Sequence, residues 1–340
     1  MFEILERICG DVRIFNEFAY FFLLLTCILL GLFTLVKMGD LLCDASAELA
    51  EELGVPSILV GLTVVSVATS APELFTSISA IRSNADGLIL GNIIGSNIAN
   101  IGLVLGISLV IKPIDTTDSV PSLQRYLLVL ITSVFSLYVL LHPLGTLTFT
   151  SGIISLAFVC WYLFYISKKA MKIRTNQVFK VASGKKTNSK KSILIHILII
   201  LLSTFGLWIG SDTLVFGSKF LATEVGIPEE LIGFSIIAIG TSLPEMAASI
   251  SLVRKNETSM LLGNIIGSNL FNIALVGGTA GILGPVSTNI LHPWIDHLAL
   301  MIFTMILFFW LKNRKLNRRA GIFLLAIYTF ATASTWVFNM

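Results

Sequence analysis

The stretch "ATSAPELFTSI" at residues 68–78 places a proline and a carboxylate, Glu73, inside a long apolar run. A second copy, "GTSLPEMAASI", stands at residues 240–250 and carries Glu245. Proline has no N–H and crowds the carbonyl one turn earlier, so each copy predicts a broken helix. An ionised acid in hydrocarbon is costly unless something neutralises it, so both copies indicate an ion site.

The composition around these copies is that of a membrane protein. Hydrophobic residues make up 55% of the chain, charged residues 13%, and the mean hydropathy is +0.89. These values exclude an ordinary soluble domain. A helix needs roughly 20 apolar residues to cross the bilayer, and ten segments qualify: 18–37, 55–81, 88–111, 124–141, 147–167, 192–211, 227–253, 258–283, 293–311 and 320–338. The sequence predicts an all-α membrane protein with ten transmembrane helices.

The two halves of the chain are related in sequence. Moving residues 40–106 by 172 positions lands on 212–278 without a gap, and "GNIIGSN" at 91–97 repeats identically at 263–269. Five spans per half is an odd number, so related halves must lie inverted in the membrane. We therefore predict two inverted five-helix repeats, 1–167 and 192–340, with duplicated motifs at 61–106 and 233–278 and a linker at 168–191.

Basic residues predict the orientation. The linker 168–191 holds nine Lys and Arg residues, and further basic residues lie at 254–255 and 312–319. Such loops stay on the cytoplasmic side, which puts both termini outside or in the periplasm of a cell (plasma or inner) membrane. Topology explains the basic run, so we expect the lipid bilayer and no nucleic acid as partner. No cleavable signal peptide is evident, because charged residues are scattered through 1–17.

Each break supplies candidate ion ligands from the backbone. The carbonyls around 66–69 and 238–241 lose helical donors to Pro72 and Pro244, and they can face a cation. The segments 70–73 and 242–245 also fit a capping box with proline in the first turn, which predicts a half-helix restarting inside the membrane.

The repeated "GNIIGSN" motif supplies polar side chains. Positions four apart share a helix face, so two stripes form: Asn92, Ser96 and Asn100, and their twins Asn264, Ser268 and Asn272. Such stripes also serve as interhelical contacts, and that interpretation stays open for Asn92 and Asn264. The pairing with the glutamate motifs in both repeats assigns the other four to the site.

The counter-charge of the glutamates is missing from the sequence. No Lys or Arg lies in register with Glu73 or Glu245, whereas Lys37 and Lys219 are placed to snorkel from the first and sixth spans. The substrate is then the cation, and two negative charges suit one divalent ion or two to three monovalent ions. Calcium takes six to eight oxygens, which carboxylates, hydroxyls and freed carbonyls offer.

"ATSAPE" and "GTSLPE", each followed after about eighteen residues by "GNIIGSN", resemble the two alpha repeats of the sodium/calcium exchangers, especially the compact prokaryotic type. The resemblance implies antiport by alternating access, in which the first and sixth helices slide against a rigid core. It implies transported calcium and sodium as ligands, no cofactor, and a carrier that functions as a monomer. The implied ligands are the side chains of Glu73, Glu245, Thr69, Ser70, Thr241, Ser242, Ser96, Asn100 and Ser268, with backbone carbonyls near Ser66 and Ala238.

The chain departs from the family pattern at Asn100 and Asn272, where close relatives often carry aspartate. In the family, potassium co-transport goes with acidic residues at these positions. Two amides here therefore disfavour potassium co-transport and leave sodium/calcium exchange.

Other functions remain as alternatives. Calcium/proton antiport uses the same glutamates, but that branch typically has an acidic motif in place of "GNIIGSN". A cation channel is less consistent with an internal inverted duplication. An enzyme is not expected, because no nucleophile–base pair stands out and the histidines are scattered, with His196 a satisfied residue near a helix end.

We interpret the cysteines and the two remaining aspartates of the spans as structural residues. Cys9, Cys27, Cys43 and Cys160 show no CxxC spacing, so we expect neither a disulfide nor a metal cluster. Asp40 and Asp212 occupy matching positions in the first and sixth spans, and we expect both at helix ends rather than in the permeation path.

Overall fold

The computed structural model describes residues 17–82, 86–114, 131, 146–180, 190–224, 238–287, 293–312 and 316–339. The first half contains helices α1 (Glu17–Leu53), α2 (Ser57–Val60), α3 (Ser66–Thr69), α4 (Ala71–Arg82), α5 (Asp86–Ala99), α6 (Leu105–Ile111) and α7 (Phe149–Lys180). The second half contains α8 (Lys190–Glu224), α9 (Ala238–Thr241), α10 (Leu243–Arg254), α11 (Thr258–Phe271), α12 (Gly277–Leu283), α13 (Pro293–Lys312) and α14 (Arg318–Asn339).

Irregular segments connect several of these helices. The π-helical turns π1 (Gly61–Val65), π2 (Asn100–Val104) and π3 (Asn272–Val276) join α2 to α3, α5 to α6 and α11 to α12. Two short strands, β1 (Thr146–Leu147) and β2 (Val286–Ser287), pair in antiparallel register. The π turns π2 and π3 begin 172 residues apart, as do α3 and α9, so the sequence duplication recurs in the backbone.

Most of the predicted spans correspond to helices. Within the described residues, six helices are long and apolar enough to cross a membrane, and they correspond to the predicted first, second, third, fifth, sixth and eighth spans. Helices α13 and α14 lie at the ninth and tenth. The fourth predicted span, 124–141, and residues 227–237 of the seventh lie outside the described residues, apart from residue 131.

The helices divide into an interior set and a peripheral set. The span Thr258–Leu283 is 94% buried and Ile89–Ile111 is 78% buried, whereas α1, α7 and α8 are each 28% buried in their apolar windows. The exposed side chains of the peripheral helices are large and apolar, including Phe33, Trp161 and Leu202. Such a surface is suited to lipid rather than water. The core therefore lies around the duplicated motifs.

The two long peripheral helices, α1 and α8, pack antiparallel to each other. Gly217 of α8 faces Leu24 near the start of α1, and His196 near the start of α8 contacts Glu48 near the end of α1. His196 lies 2.6 Å from a Glu48 carboxylate oxygen, which confirms it as a satisfied residue near a helix end. Helices at equivalent positions of the duplication thus run in opposite directions.

Helix α1 continues well past the predicted end of the first span at residue 37. The hydrophobic run stops there, but the acidic residues that follow find partners on α10 and just after it. Ser251 donates to Asp40 Oδ1 over 2.6 Å, and Lys255 Nζ lies 2.6 Å from Asp44 Oδ1. These contacts compensate the charges and let the helix extend to Leu53.

The segments flanking the basic loops meet at one end of the bundle. Lys112 donates to Asn256, Ile114 N donates to Leu316 O over 2.9 Å, and Ser192 donates to Glu52. The β1–β2 pair lies at the other end, because β2 follows the far end of the continuous run from α11 to α12. We call these the linker end and the strand end.

Glycines allow core helices to pack closely where they cross, and substitution of one of them should lower the stability of the protein. A Cβ on Gly61 would come within 2.9 Å of the Met260 carbonyl carbon, so no side chain fits there. We expect Gly61→Val to lower the free energy of unfolding by about 3 kcal/mol through forced separation of the backbones. Gly277→Ala is the control, since its Cβ would meet Ile93 at an ordinary 3.6 Å. Size-exclusion recovery after heating in detergent measures both, and equal melting temperatures would contradict the packing.

Candidate ion-binding site

Two helix breaks lie at the centre of the site. Each break is a single residue, Ser70 at φ −83°, ψ 1° and Ser242 at φ −86°, ψ 4°. The prolines that follow, Pro72 and Pro244, are the second residues of α4 and α10. Because proline lacks an N–H, the carbonyl of Gly240 loses its helical donor, and Ser211 Oγ of α8 donates to it over 2.6 Å instead.

The predicted capping boxes do not form as such, which corrects the sequence interpretation. The Ser242 side chain makes no capping hydrogen bond. Ser70 Oγ instead donates across the site to Glu245 Oε1 over 3.3 Å. The backbone already supplies the turn, since Leu74 N donates to Ser70 O and Met246 N donates to Ser242 O. The hydroxyls are thereby left available to the opposite half.

The two glutamates lie buried and close together. Glu73 is 1% exposed and Glu245 is fully buried, and the two side chains are near enough to repel each other electrostatically. Both Glu73 carboxylate oxygens and Glu245 Oε2 lack a hydrogen-bond partner among the described residues. Neither glutamate forms an ion pair within the described part of the chain. Lys37 is exposed on α1, with Nζ 5.9 Å from the Phe33 ring.

Polar side chains from the crossing helices reach the breaks in a symmetric pattern. Thr69 Oγ1 donates to Asn264 Oδ1 over 3.4 Å, and Thr241 Oγ1 donates to Asn92 Oδ1 over 3.2 Å. Position 69 corresponds to 241 and position 92 to 264 in the duplication, so each break contacts the motif of the other half. Thr69 also lies 3.3 Å from Ser268 Oγ.

Asn92 and Asn264 fill both of the roles that the sequence left open. Asn92 Nδ2 donates to the Glu73 backbone carbonyl over 3.1 Å and to Ser77 Oγ over 3.0 Å, which ties α5 to α4. Asn264 accepts from Thr69 and Ser268, while its Nδ2 has no partner among the described residues. Asn92 is thus an interhelical contact at the edge of the site, whereas Asn264 keeps an unused amide inside it.

The remaining predicted residues are also buried. Asn272 Nδ2 donates to Ser96 Oγ over 2.9 Å, and Ser96 Oγ donates to Asn92 O. Both polar atoms of Asn100, the Ser242 hydroxyl and Asn272 Oδ1 lack partners within the described ranges. Buried polar groups are normally hydrogen-bonded, so a cluster of unpaired ones indicates a place for a ligand.

The two predicted backbone ligands are the carbonyls near Ser66 and Ala238. The Ser66 carbonyl accepts from Ser70 N over 3.0 Å, so it keeps its helical donor, contrary to the expectation from the sequence. One lone pair remains for a further donor or cation. Ala238 is the first residue of α9.

Two features of the site were not predicted. Asn100 and Asn272 are the first residues of the π turns π2 and π3, and π turns often mark functional positions in helices. Asn269 Nδ2 also donates to the Asn97 backbone carbonyl over 3.1 Å, which joins the two "GNIIGSN" helices where they cross. The identity of both copies at 97 and 269 was the available signal for this contact.

Comparisons with known proteins agree with the fold. The family described as sodium/calcium exchanger protein matches residues 23–168 and 195–337. The sodium/calcium exchanger MaX1 of Methanosarcina acetivorans is 29% identical over 332 residues, which cover 88% of this chain and 95% of that protein. The inner membrane protein YrbG of Escherichia coli is 32% identical over 302 residues, 87% of this chain and 92% of that protein.

A solved structure shows the same architecture. The sodium-calcium exchanger NCX_Mj, soaked with 100 mM Na⁺ and 10 mM Sr²⁺, superposes with a TM-score of 0.78 at 30% identity, over 92% of this chain and 99% of that one. The fold and the matches define an integral membrane transporter of the antiporter class, not an enzyme. The chain belongs to the sodium/calcium exchanger family.

Proposed function

We propose that this protein exchanges sodium for calcium by alternating access at a site near the bilayer midplane, built around Glu73 and Glu245. One observation carries the proposal. Two buried carboxylates approach each other, and three of their four oxygens have no partner among the described residues. Two such charges are unstable together in hydrocarbon unless a cation lies between them. The transported ion is that cation.

The oxygens around the glutamates favour a hard cation. Calcium prefers six to eight oxygen ligands, whereas softer metals prefer nitrogen and sulfur. The proposed ligands are the side chains of Glu73, Glu245, Thr69, Ser70, Thr241, Ser242, Ser96, Asn100, Ser268 and Asn272, with the backbone carbonyls of Ser66 and Ala238. The unpaired atoms of Asn100 and Ser242 support their place in this set, and the Ser70 hydroxyl supports the place of Glu245.

The proposed architecture is ten transmembrane helices in two inverted five-helix repeats, 1–167 and 192–340, joined by the linker 168–191. The antiparallel packing of α1 and α8 and the recurrence of the π turns support it. Both long helices are largely exposed, while the site helices are buried. Sliding of α1 and α8 over a fixed core then opens the site to one side at a time.

We place the linker end in the cytoplasm and both termini on the other side of the cell membrane. The three basic loops adjoin segments that meet at this end, and basic loops stay cytoplasmic. The sites of both halves come from one chain, so we propose that the monomer is the transporting unit.

Calcium binding to the purified protein tests the proposed site. Radioactive calcium should bind in equilibrium dialysis and should be displaced by sodium with a sigmoidal dependence, because several sodium ions replace one calcium ion. Calcium binding that sodium does not displace would contradict the exchange. The name of the relative MaX1 supports sodium as the coupling ion.

Ser70 allows a sharper test of the contact across the halves. Its hydroxyl donates to Glu245 Oε1, and hydrogen bonds to charged groups are among the strong ones. We expect Ser70→Ala to weaken calcium binding about tenfold. Ser108→Ala is the matched control, since the one partner of the buried Ser108 hydroxyl among the described residues is the Val104 carbonyl, one turn earlier. Equal calcium dissociation constants for the two variants would remove Ser70 from the site.

A further inference from the structure

A small cavity adjoins the site on the side of the strand end. It has a volume of about 90 Å³ and lies between α8 and the two helix breaks, with Pro72, Thr76, Trp208, Asp212 and Thr241 in its walls. At ~30 Å³ each, about three water molecules fill such a space. Asp212 and Thr76 are both partly exposed, so the cavity is open at the surface of the protein.

The cavity leads directly to the proposed ion ligands. Pro72 precedes Glu73 in the chain, and Thr241 in the opposite wall donates to Asn92 at the edge of the site. Ser211, next to Asp212, holds the Gly240 carbonyl at the second break. The cavity is therefore lined by Pro72, two residues after the first break, and by Thr241, one residue before the second.

Asp212 lies in the interior of α8, which corrects the expectation that it marks a helix end. The same interior position holds for Asp40 in α1. Among the described residues, Asp212 makes neither a side-chain hydrogen bond nor an ion pair, and it lines the cavity.

Its twin in the duplication, Asp40, is paired instead. Ser251 donates to Asp40 Oδ1, and Lys255 Nζ donates to the Asp40 carbonyl over 3.0 Å. Position 255 corresponds to position 83 in the first repeat, which is a serine. The sequence therefore has no lysine at the position that matches Lys255, which contacts Asp40 and Asp44.

We propose that Asp212 is an access site for cations, where calcium or sodium binds transiently at the strand end before it passes to Glu73 and Glu245. A carboxylate in an open cavity raises the local cation concentration and the rate of entry. Asp40 does not act in this way, because Lys255 and Ser251 occupy it. The inference rests on the proposed function, since it concerns the route to the same ions.

Calcium/calcium exchange measured from each side of the membrane tests the proposal. Right-side-out and everted vesicles are loaded with calcium, and radioactive calcium is supplied outside. We expect Asp212→Asn to raise the calcium concentration for half-maximal uptake about three- to tenfold from the strand end only. The maximal rate should change less than about twofold, because binding at the two glutamates is intact. Asp212→Glu should restore the wild-type value.

The control is Asp40→Asn, which removes the equivalent charge from the other repeat and should not raise the strand-end value. High choline chloride should raise the strand-end value of the wild type and leave that of Asp212→Asn unchanged, because salt screens an exposed charge. If Asp212→Asn does not insert, Thr76→Lys places a cation opposite Asp212 and should have the same sided effect. An unchanged value, an equal change from both sides, or the same change in Asp40→Asn would overturn the inference. Absence of calcium flux in the wild type would instead contradict the proposed function.

Discussion

Replacing either Glu73 or Glu245 with glutamine is expected to lower calcium exchange by more than about 100-fold. Each substitution removes half of the negative charge that holds a divalent ion in a fully buried place. The protein should still fold, because glutamine removes a buried charge that lacks a partner and so relieves its desolvation cost. Radioactive calcium uptake into vesicles measures the effect, and size-exclusion chromatography in detergent checks the fold.

Glu51→Gln is the matched control for both substitutions, since Glu51 is exposed on α1. It should keep wild-type uptake. Near-normal uptake by Glu73→Gln or Glu245→Gln would remove the carboxylates from the site and, with them, the proposed mechanism.

The second large effect is a change in sodium dependence on substitution of Asn272. Asn272 Nδ2 donates to Ser96 Oγ, whose own proton goes to Asn92 O, so an aspartate here would face lone pairs. An ionised Asn272→Asp side chain therefore needs a cation beside it. We expect this variant to lower the sodium concentration for half-maximal calcium efflux about tenfold. Sodium-driven efflux of radioactive calcium, measured with and without potassium, gives both this value and the ion requirement.

The wild type should show a sigmoidal sodium dependence and no need for potassium, because amides at Asn100 and Asn272 leave two formal charges for several sodium ions. Asn317→Asp makes the same chemical change at the start of α14, where Asn317 Oδ1 accepts from Ala320 N, and should not alter sodium dependence. Wild-type efflux that requires potassium would show that acidic residues at 100 and 272 are not needed for potassium coupling.

Much of the fold could be predicted because the duplication preserves polar residues in register. Chance similarity between apolar helices would share leucines, not Pro72 with Pro244 or the two "GNIIGSN" segments. The predicted end of α1 lay too far toward the N-terminus, because the hydrophobic run ends before the first acidic residues. The partners that allow α1 to continue, such as Lys255, are more than 200 residues away in sequence.

The sequence predicted which residues form the site better than it predicted how they contact one another. The breaks were expected from proline chemistry, but the direction of the Ser70 hydroxyl depends on Glu245 from the other half. Local rules favour a capping box, and a tertiary contact overrides them. The π turns at Asn100 and Asn272 have no local signal in composition, since they arise from how the helices pack. Asp212 and Asp40 occupy equivalent positions in the sequence, but Lys255 and Ser251 contact Asp40.

Ion-driven transport by the wild-type protein tests the central claim most directly. Sealed vesicles are loaded with sodium and diluted into sodium-free medium that contains radioactive calcium, and a parallel set is given an outward proton gradient instead. Sodium/calcium exchange predicts calcium accumulation against its gradient with the sodium gradient, no accumulation with the proton gradient, and loss of the sodium-driven signal in Glu73→Gln. Calcium accumulation driven by protons as strongly as by sodium would contradict the account and establish calcium/proton antiport.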